Sequence, residues 1–148
     1  MTALHIATPE DVDRLLPMIA AFHVEMGIER SDAQRAEVLG PLLDGIPHGV
    51  AYLIGPRRSP VGYIVITFGY AIELGGIEAF IDEFWIRPAV RGRGMGSEVL
   101  ADLGPALGQH GVKALHLEVK REDAAAQKLY TRNHFRLRDG YCLMTRKL

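Results

Sequence analysis

The sequence has little cysteine, no long apolar run and almost no net charge, and each scarcity excludes a class of protein. Its single cysteine, Cys142, can form neither an intramolecular disulfide nor a zinc cluster, so we expect a metal-free chain in the reducing cytoplasm. No run approaches the roughly 20 apolar residues that span a bilayer, and the first residues do not resemble a secretion signal. The net charge of −1 lacks the positive excess that nucleic-acid binding favours. We therefore expect neither membrane nor nucleic acid as a partner.

The small net charge conceals an uneven distribution along the chain. Residues 1–86 contain 5 basic and 12 acidic side chains, a net of −7, whereas residues 87–148 contain 12 basic and 6 acidic ones, a net of +6. This split predicts that the basic half meets an anionic ligand and that the acidic half meets a cationic one.

Length and composition predict one folded domain over residues 1–148. The chain is 48% hydrophobic and 24% charged, which is typical of a folded protein of this size. Hydrophobic spacing predicts an α/β chain with the order β, α, α, β, β, β, α, β, α, β, β. We expect Pro17 to bend or split the first helix. We also expect Phe135–Leu137 and Tyr141–Met144, joined across Asp139-Gly140, to form a closing hairpin.

The stretch from Ile81 to Ser97 carries the most specific chemistry of the sequence. A strand feeds a glycine-rich turn that opens a helix, so backbone N–H groups unobstructed by Cβ atoms converge at the positive end of the helix dipole. Arg91 and Arg93 add positive charge. The pattern predicts a phosphate-bearing ligand at this loop.

Three kinds of phosphate-binding loop begin with such a turn. A Walker loop needs Gly-Lys, which occurs nowhere in the chain. A dinucleotide fingerprint starting at Gly92 would put Ser97 at its last glycine position, and it stays open as the weaker alternative. The third kind, an acetyl-CoA loop of the form Arg/Gln-x-x-Gly-x-Gly/Ala, is matched by Arg91, Gly94 and Gly96.

With these residues and a second set downstream, the sequence resembles the GNAT superfamily of N-acetyltransferases. The family's later pattern, Asn-x-x-Ala-x-x-Leu-Tyr leading to Gly-Phe, is similar to the set Asp123, Ala126, Leu129, Tyr130 and Phe135. Asp123 replaces the usual Asn and His134 the usual Gly. The resemblance covers residues 60–148 through these motifs, and the first 59 residues only through the order of helices.

The resemblance implies a fold and a reaction. The expected fold is an α/β GNAT fold, with a mixed, mostly antiparallel sheet of about six to seven strands and about four flanking helices. The expected activity transfers acetyl from acetyl-CoA to a primary amine of a small molecule or peptide, by direct attack in a ternary complex. Homodimers are common in the family, and the sequence leaves open whether this chain forms one. A non-catalytic acyl-CoA sensor or regulatory module is the alternative function, since binding needs only the loop and a strand edge.

The resemblance also implies roles for individual residues. The pantetheine arm would pair with the backbone of Phe84, Trp85 and Ile86, with Asp123 near the arm and an N–H near Phe84 facing the thioester carbonyl. Tyr130 would bind the cofactor and protonate the departing thiolate. The pyrophosphate would lie on the loop N–H groups of Arg91, Gly92, Arg93, Gly94, Met95, Gly96 and Ser97.

The group that removes the ammonium proton is open among Asp82, Glu83 and bulk water. Strand alternation puts Asp82 on one face with Phe80 and Phe84, the face often used for this purpose in the family, and puts Glu83 on the other face with Ile81 and Trp85. Asp82 is therefore the first candidate and would act through water. His23, on the first helix, is expected to be a partly exposed surface histidine, with a place in the lining of the acceptor pocket as the alternative.

Overall fold

The computed structural model describes residues 2–148 and divides the chain into two compact units. The first unit extends to Glu118 and contains the sheet and the first three helices, while the second, Val119–Leu148, contains the last helix. All the residues on the sheet that were predicted to do chemistry therefore belong to the first unit.

The sheet has five strands whose spatial order follows their order in the chain. The first three neighbouring pairs are antiparallel, and the last pair is parallel. Hairpins connect the second strand with the third and the third with the fourth, whereas two helices lie between the first strand and the second. The parallel fifth strand needs a crossover, which another helix supplies. The strands are β1 (Leu4–Ile6), β2 (Gly49–Ile54), β3 (Gly62–Ala71), β4 (Gly76–Ile86) and β5 (Ala114–Leu117).

Over residues 2–148, four α-helices accompany the sheet: α1 (Val12–Met26), α2 (Asp32–Leu43), α3 (Met95–Gln109) and α4 (Ala124–Arg132). Pro17 does not split α1, which is continuous. The cost of about 3 kcal/mol for an interior proline is offset because α1 buries Leu15, Met18 and Ile19 in the core. None of the helices within residues 2–148 is both long and apolar enough to cross a membrane.

The main hydrophobic core lies where α1 and α2 cover one face of the sheet. Alternate residues of β3 point into it, so Tyr63 and Val65 belong to this core while Ile64 between them does not. This packing holds α1 and α2 against the strands that carry the candidate site. The buried core residues are Ala7, Leu15, Met18, Ile19, Leu39, Leu43, Ala51, Leu53, Tyr63, Val65 and Trp85.

One extra residue interrupts β4 opposite β3. Val65 pairs with Glu83 but the next residue, Ile66, pairs with Ile81, so Asp82 forms a β-bulge. The predicted strict alternation, with Ile81 and Glu83 on one face, is therefore wrong. Because cross-strand partners share a face, Glu83 lies with Val65 on the face of α1, and Ile81 lies with Ile66 on the other.

The C-terminal hairpin is absent from the part of the chain that the structure describes, so the predicted count of six to seven strands is wrong. A turn does form at Asp139-Gly140, but Phe135–Leu137 and Tyr141–Met144 form no ladder. Leu137 and Met144 are largely exposed. A two-stranded hairpin with no apolar face to bury is at best marginally stable, which explains why turn chemistry alone does not produce the strands.

Candidate active site

β4 continues beyond the end of its parallel neighbour. Pairing with β5 stops at Ile81 and Leu117, whereas β4 runs on to Ile86. The Arg87 N–H donates to the Val61 carbonyl of the β3 side at 2.7 Å. Because alternate residues of an antiparallel strand bond to the same neighbour, Phe84 and Ile86 direct their backbone N–H and C=O groups toward the opposite edge. The Ile86 carbonyl already accepts from Arg91 Nε, so that edge offers the Phe84 N–H and C=O and the Ile86 N–H to an extended ligand.

The glycine-rich turn follows β4 and opens α3. Gly92 and Gly94 have φ angles of +77° and +82°, a conformation that a side chain makes costly. The first helical bond runs from the Glu98 N–H to the Gly94 carbonyl at 3.0 Å, so the Met95 and Gly96 N–H groups have no carbonyl partner within the helix. A Cβ added at either turn glycine would meet no atom within 4 Å, so the space beside the backbone is open. These amides suit the phosphates of a CoA thioester.

Arg91 ties this turn to β4 and α1. Its Nε donates to the Ile86 carbonyl at 2.7 Å, and its Nη2 donates to the two carboxylate oxygens of Glu25 at 2.8 and 3.1 Å. Glu25 also accepts from the Trp85 indole at 3.0 Å, and Trp85 is otherwise buried in the core. The positive charge of Arg91 is thus paired with an acidic residue of α1, a contact that the motif alone does not predict.

Glu83 receives two hydrogen bonds on the α1 face of the sheet. The Tyr63 hydroxyl donates to Oε1 at 2.8 Å, and His23 Nε2 lies 2.7 Å from Oε2. Burial, with the neighbouring Glu83 carboxylate, raises the pKa of Tyr63, which keeps its hydroxyl protonated and able to donate. The expectation of a partly exposed His23 is wrong, because only 7% of that residue is exposed. The Glu83 carboxylate is therefore held in a defined orientation.

Asp82 has different surroundings although it is the adjacent residue. It lies on the bulge and is exposed. Partial desolvation raises the pKa of Asp82, and the carboxylates of Glu83 and Glu118 raise it further. Two neighbouring carboxylates thus differ in exposure and in support: Glu83 is oriented by donors, and Asp82 faces solvent.

The second unit places Asp123 and Tyr130 on the same short helix. Asp123 is the N-cap of α4, with its Oδ1 accepting from the Ala126 N–H at 3.0 Å. Burial raises the pKa of Tyr130, and Asp123 raises it further. His134 lies two residues after the end of α4 and has a φ of +72°. The family's pattern has a glycine at this position, which would adopt the same conformation without strain. The structure thus groups the strand and loop residues in one unit, and Asp123 and Tyr130 in the other.

Four contacts of this site could not be found by motif. His23, Arg35 and Glu25 come from α1 and α2, and Tyr63 reads in the sequence as one more apolar strand residue. Only the pairing of β3 with β4 and the packing of α1 bring them to Glu83, Trp85 and Arg91. Of these four residues only Glu25 belongs to the acidic excess of the first 86 residues. Among residues 2–148, no group of three or more histidine, cysteine, aspartate or glutamate side chains is placed to hold a metal ion.

Comparison with known proteins identifies a family for this chain. The sequence model described as the acetyltransferase (GNAT) family matches residues 17–135. An integron cassette protein from the mobile metagenome of Cole Harbour Salt Marsh is 30% identical, with a TM-score of 0.84 over 98% of this chain and 90% of that chain. No curated protein matches the sequence.

Two more distant structures share the fold. Ribosomal-protein-alanine N-acetyltransferase from Brucella melitensis biovar Abortus 2308 is 15% identical, with a TM-score of 0.78 over 99% of each chain. The aminoglycoside acetyltransferase meta-AAC0020 from an uncultured soil metagenomic sample, in complex with sisomicin, is 12% identical, with a TM-score of 0.82 over 99% of this chain and 96% of that one. The family match covers most of the chain, including β4, the glycine-rich turn and α4. The chain therefore belongs to the GNAT acetyltransferase family and is an acyltransferase.

Proposed function

We propose that residues 1–148 form one acetyltransferase domain, working in the cytoplasm, which transfers acetyl from acetyl-CoA to a primary amine of a small molecule or peptide. One observation carries this proposal. The strand that bears Asp82 and Glu83 loses its parallel partner after Ile81 and leads, within five residues of its end, into a glycine turn with open space beside its backbone. Carboxylates for the amine and amides for the phosphates are thus joined by one exposed strand edge.

Acetyl-CoA supplies the activated thioester, and the chain supplies its binding groups. The amides of the turn from Gly92 to Ser97 hold the pyrophosphate, with Arg93 adding charge. The Arg91 N–H, which was also predicted to bind the pyrophosphate, donates instead to the Pro88 carbonyl at 3.2 Å. The pantetheine arm lies along the edge formed by Phe84–Ile86, where the backbone of Phe84 and Ile86 faces outward and Trp85 anchors the strand to β3 and α1. Asp123 supports the arm from the start of α4.

The amine attacks the thioester carbonyl directly, with both substrates bound. Glu83 takes a proton from the ammonium group, directly or through one water, and exposed Asp82 attracts the cationic acceptor. The amine nitrogen then bonds to the carbonyl carbon, the Phe84 N–H stabilises the oxyanion, and the carbon–sulfur bond breaks. Tyr130, whose raised pKa keeps it protonated, gives its proton to the departing thiolate and receives the second proton of the amine nitrogen in its place. The products are an N-acetyl amine, CoA thiol and one released proton.

The acceptor class is supported by charge and by the names of two relatives. Residues up to 86 carry a net charge of −7, which suits an ammonium-bearing acceptor. One relative of the same fold acts on aminoglycosides and another on a ribosomal-protein alanine, and both acceptors are amines. We therefore assign a primary amine, with small molecules and peptide N-termini as the two classes to test.

The test measures release of CoA thiol from acetyl-CoA with polyamines, aminoglycosides, amino acids and peptide N-termini, alongside calorimetric binding of acetyl-CoA. We expect at least one amine class to accelerate thiol release, with an apparent acceptor affinity that weakens as salt is added. Tight binding of acetyl-CoA with no acceleration by any amine would favour the non-catalytic sensor. Binding of NAD without binding of acetyl-CoA would overturn the proposed ligand.

A further inference from the structure

A chain of hydrogen bonds runs from α2 through α1 to the candidate base on β4. Arg35 Nε donates to His23 Nδ1 at 3.1 Å, and His23 Nε2 lies 2.7 Å from Glu83 Oε2. The outer end is fixed as well, because Arg35 Nη1 donates to Asp32 Oδ1 at 2.9 Å. On its other side Glu83 accepts from the Tyr63 hydroxyl. The hydrogen-bond chain thus links one carboxylate to side chains of α1 and β3 directly, and to α2 through His23.

The donors of this chain determine the proton positions on His23. An arginine Nε can only donate, so His23 Nδ1 must be the acceptor. In a neutral imidazole the other nitrogen then carries the hydrogen, and His23 Nε2 donates to Glu83. A second proton on Nδ1 would face the Arg35 guanidinium and break that bond. His23 is therefore arranged as a fixed donor to Glu83 rather than as a second proton acceptor.

We propose that His23 and Arg35 are positioning residues for Glu83, with Arg35 setting the tautomer of His23 and His23 setting the orientation of the carboxylate toward the acceptor amine. This inference rests on the proposed acetyl transfer and adds two residues to it. The Tyr63 and His23 bonds each use one carboxylate oxygen, which leaves further lone pairs on both oxygens to receive the acceptor proton. Because His23 and Arg35 lie on α1 and α2, the packing of these helices controls the base.

The experiment is a double-mutant cycle on the turnover number with the best acceptor of the panel. His23→Leu removes the donor, and a misplaced carboxylate should lower kcat about 10- to 100-fold while the KM for acetyl-CoA stays unchanged. His23→Gln, whose amide can both accept from Arg35 and donate to Glu83, should recover most of kcat. In a Glu83→Gln background, adding His23→Leu should change kcat by less than about twofold, because the group through which His23 acts is already gone.

Two further variants complete the test. Arg35→Met removes the donor to His23 Nδ1 without altering the sheet, and we expect a smaller loss of kcat than in His23→Leu. His48→Leu changes an exposed histidine before β2 and should leave kcat as it is. Binding of acetyl-CoA by each variant reports that the fold is retained.

The outcomes separate this inference from the proposed function. If Glu83→Gln has full activity, Glu83 is not the base and the proposed mechanism fails at that step. If Glu83→Gln is impaired but His23→Leu has normal kcat, or if the two losses multiply in the double variant, the positioning role is refuted while the base stands. Failure of His23→Gln to exceed His23→Leu in kcat would also refute it.

Discussion

Asp11 anchors the start of α1, and replacing it with asparagine gives the sharpest test of the stability of this region. The side chain is fully buried and accepts from the Thr8 N–H at 2.9 Å, Arg57 Nη2 at 2.8 Å and Arg14 Nη1 at 3.0 Å. Burial opposes its ionisation, but the Thr8 amide and the two guanidinium groups outweigh burial and lower the pKa of Asp11 below its usual 3.8. The contact links the entry to α1 with the turn between β2 and β3.

We expect Asp11→Asn to lower the free energy of unfolding by about 3 kcal/mol at pH 7. A hydrogen bond to a charged group contributes about 1.5–3 kcal/mol, and the Thr8 amide supplies one such bond. The two arginine side chains are 38% and 40% exposed, so each pair adds only about 0–1 kcal/mol. Asparagine keeps one acceptor oxygen, but its NH2 group takes the place of the other oxygen and would face N–H donors of Thr8, Arg57 or Arg14. Asp13→Asn, two residues along and exposed, is the matched control and should cost less than about 1 kcal/mol.

The pH dependence follows from the lowered pKa. A carboxylate with a folded-state pKa below 3.8 contributes stability that is complete above that value and is lost as the pH falls through the lower folded-state pKa. In urea unfolding between pH 7 and pH 3, the difference in free energy of unfolding between wild type and Asp11→Asn should therefore become smaller toward pH 3. An equal loss in Asp11→Asn and Asp13→Asn, or a gap that stays constant with pH, would refute the reasoning.

Three further substitutions test other parts of the molecule. Gly94→Glu puts an acidic side chain at a φ of +82° beside the phosphate amides and should weaken calorimetric binding of acetyl-CoA at least about 100-fold, whereas Gly104→Ala within α3 should not. Tyr130→Phe should keep that binding and lower kcat about 100-fold, so loss of binding would show that its assigned role is wrong. His134→Gly removes the strain of a φ of +72° and should raise the free energy of unfolding, measured by thermal unfolding, by about 1 kcal/mol. His110→Gly, at a residue whose φ is −91°, should give no such gain.

The features predicted correctly from the sequence are those that depend on neighbouring residues. The turn from Gly92 to Gly96 and the helix after it follow from local backbone chemistry. The order of the elements from β1 to α4 follows from the hydrophobic spacing within each segment. Each of these signals lies within one short segment or one connection.

The wrong predictions depend on pairing and packing between distant segments. The bulge at Asp82 exists only in the register with β3, so strict alternation put Ile81 on the wrong face. His23 lies 60 residues from Glu83 in the chain, and no local pattern signals that α1 buries it there. The C-terminal hairpin failed for the opposite reason: its local turn is correct, but it lacks the tertiary partner that a pair of strands needs.

Transfer of a labelled acetyl group tests the central claim most directly. The protein is incubated with acetyl-CoA carrying an isotopically labelled acetyl group and with the amine that most accelerates thiol release, and the products are analysed by mass spectrometry. The proposed function predicts labelled acetyl on the amine nitrogen in a one-to-one ratio with CoA thiol, with Glu83→Gln slowing both products equally. Thiol release with the label in free acetate, and none on the amine, would contradict it.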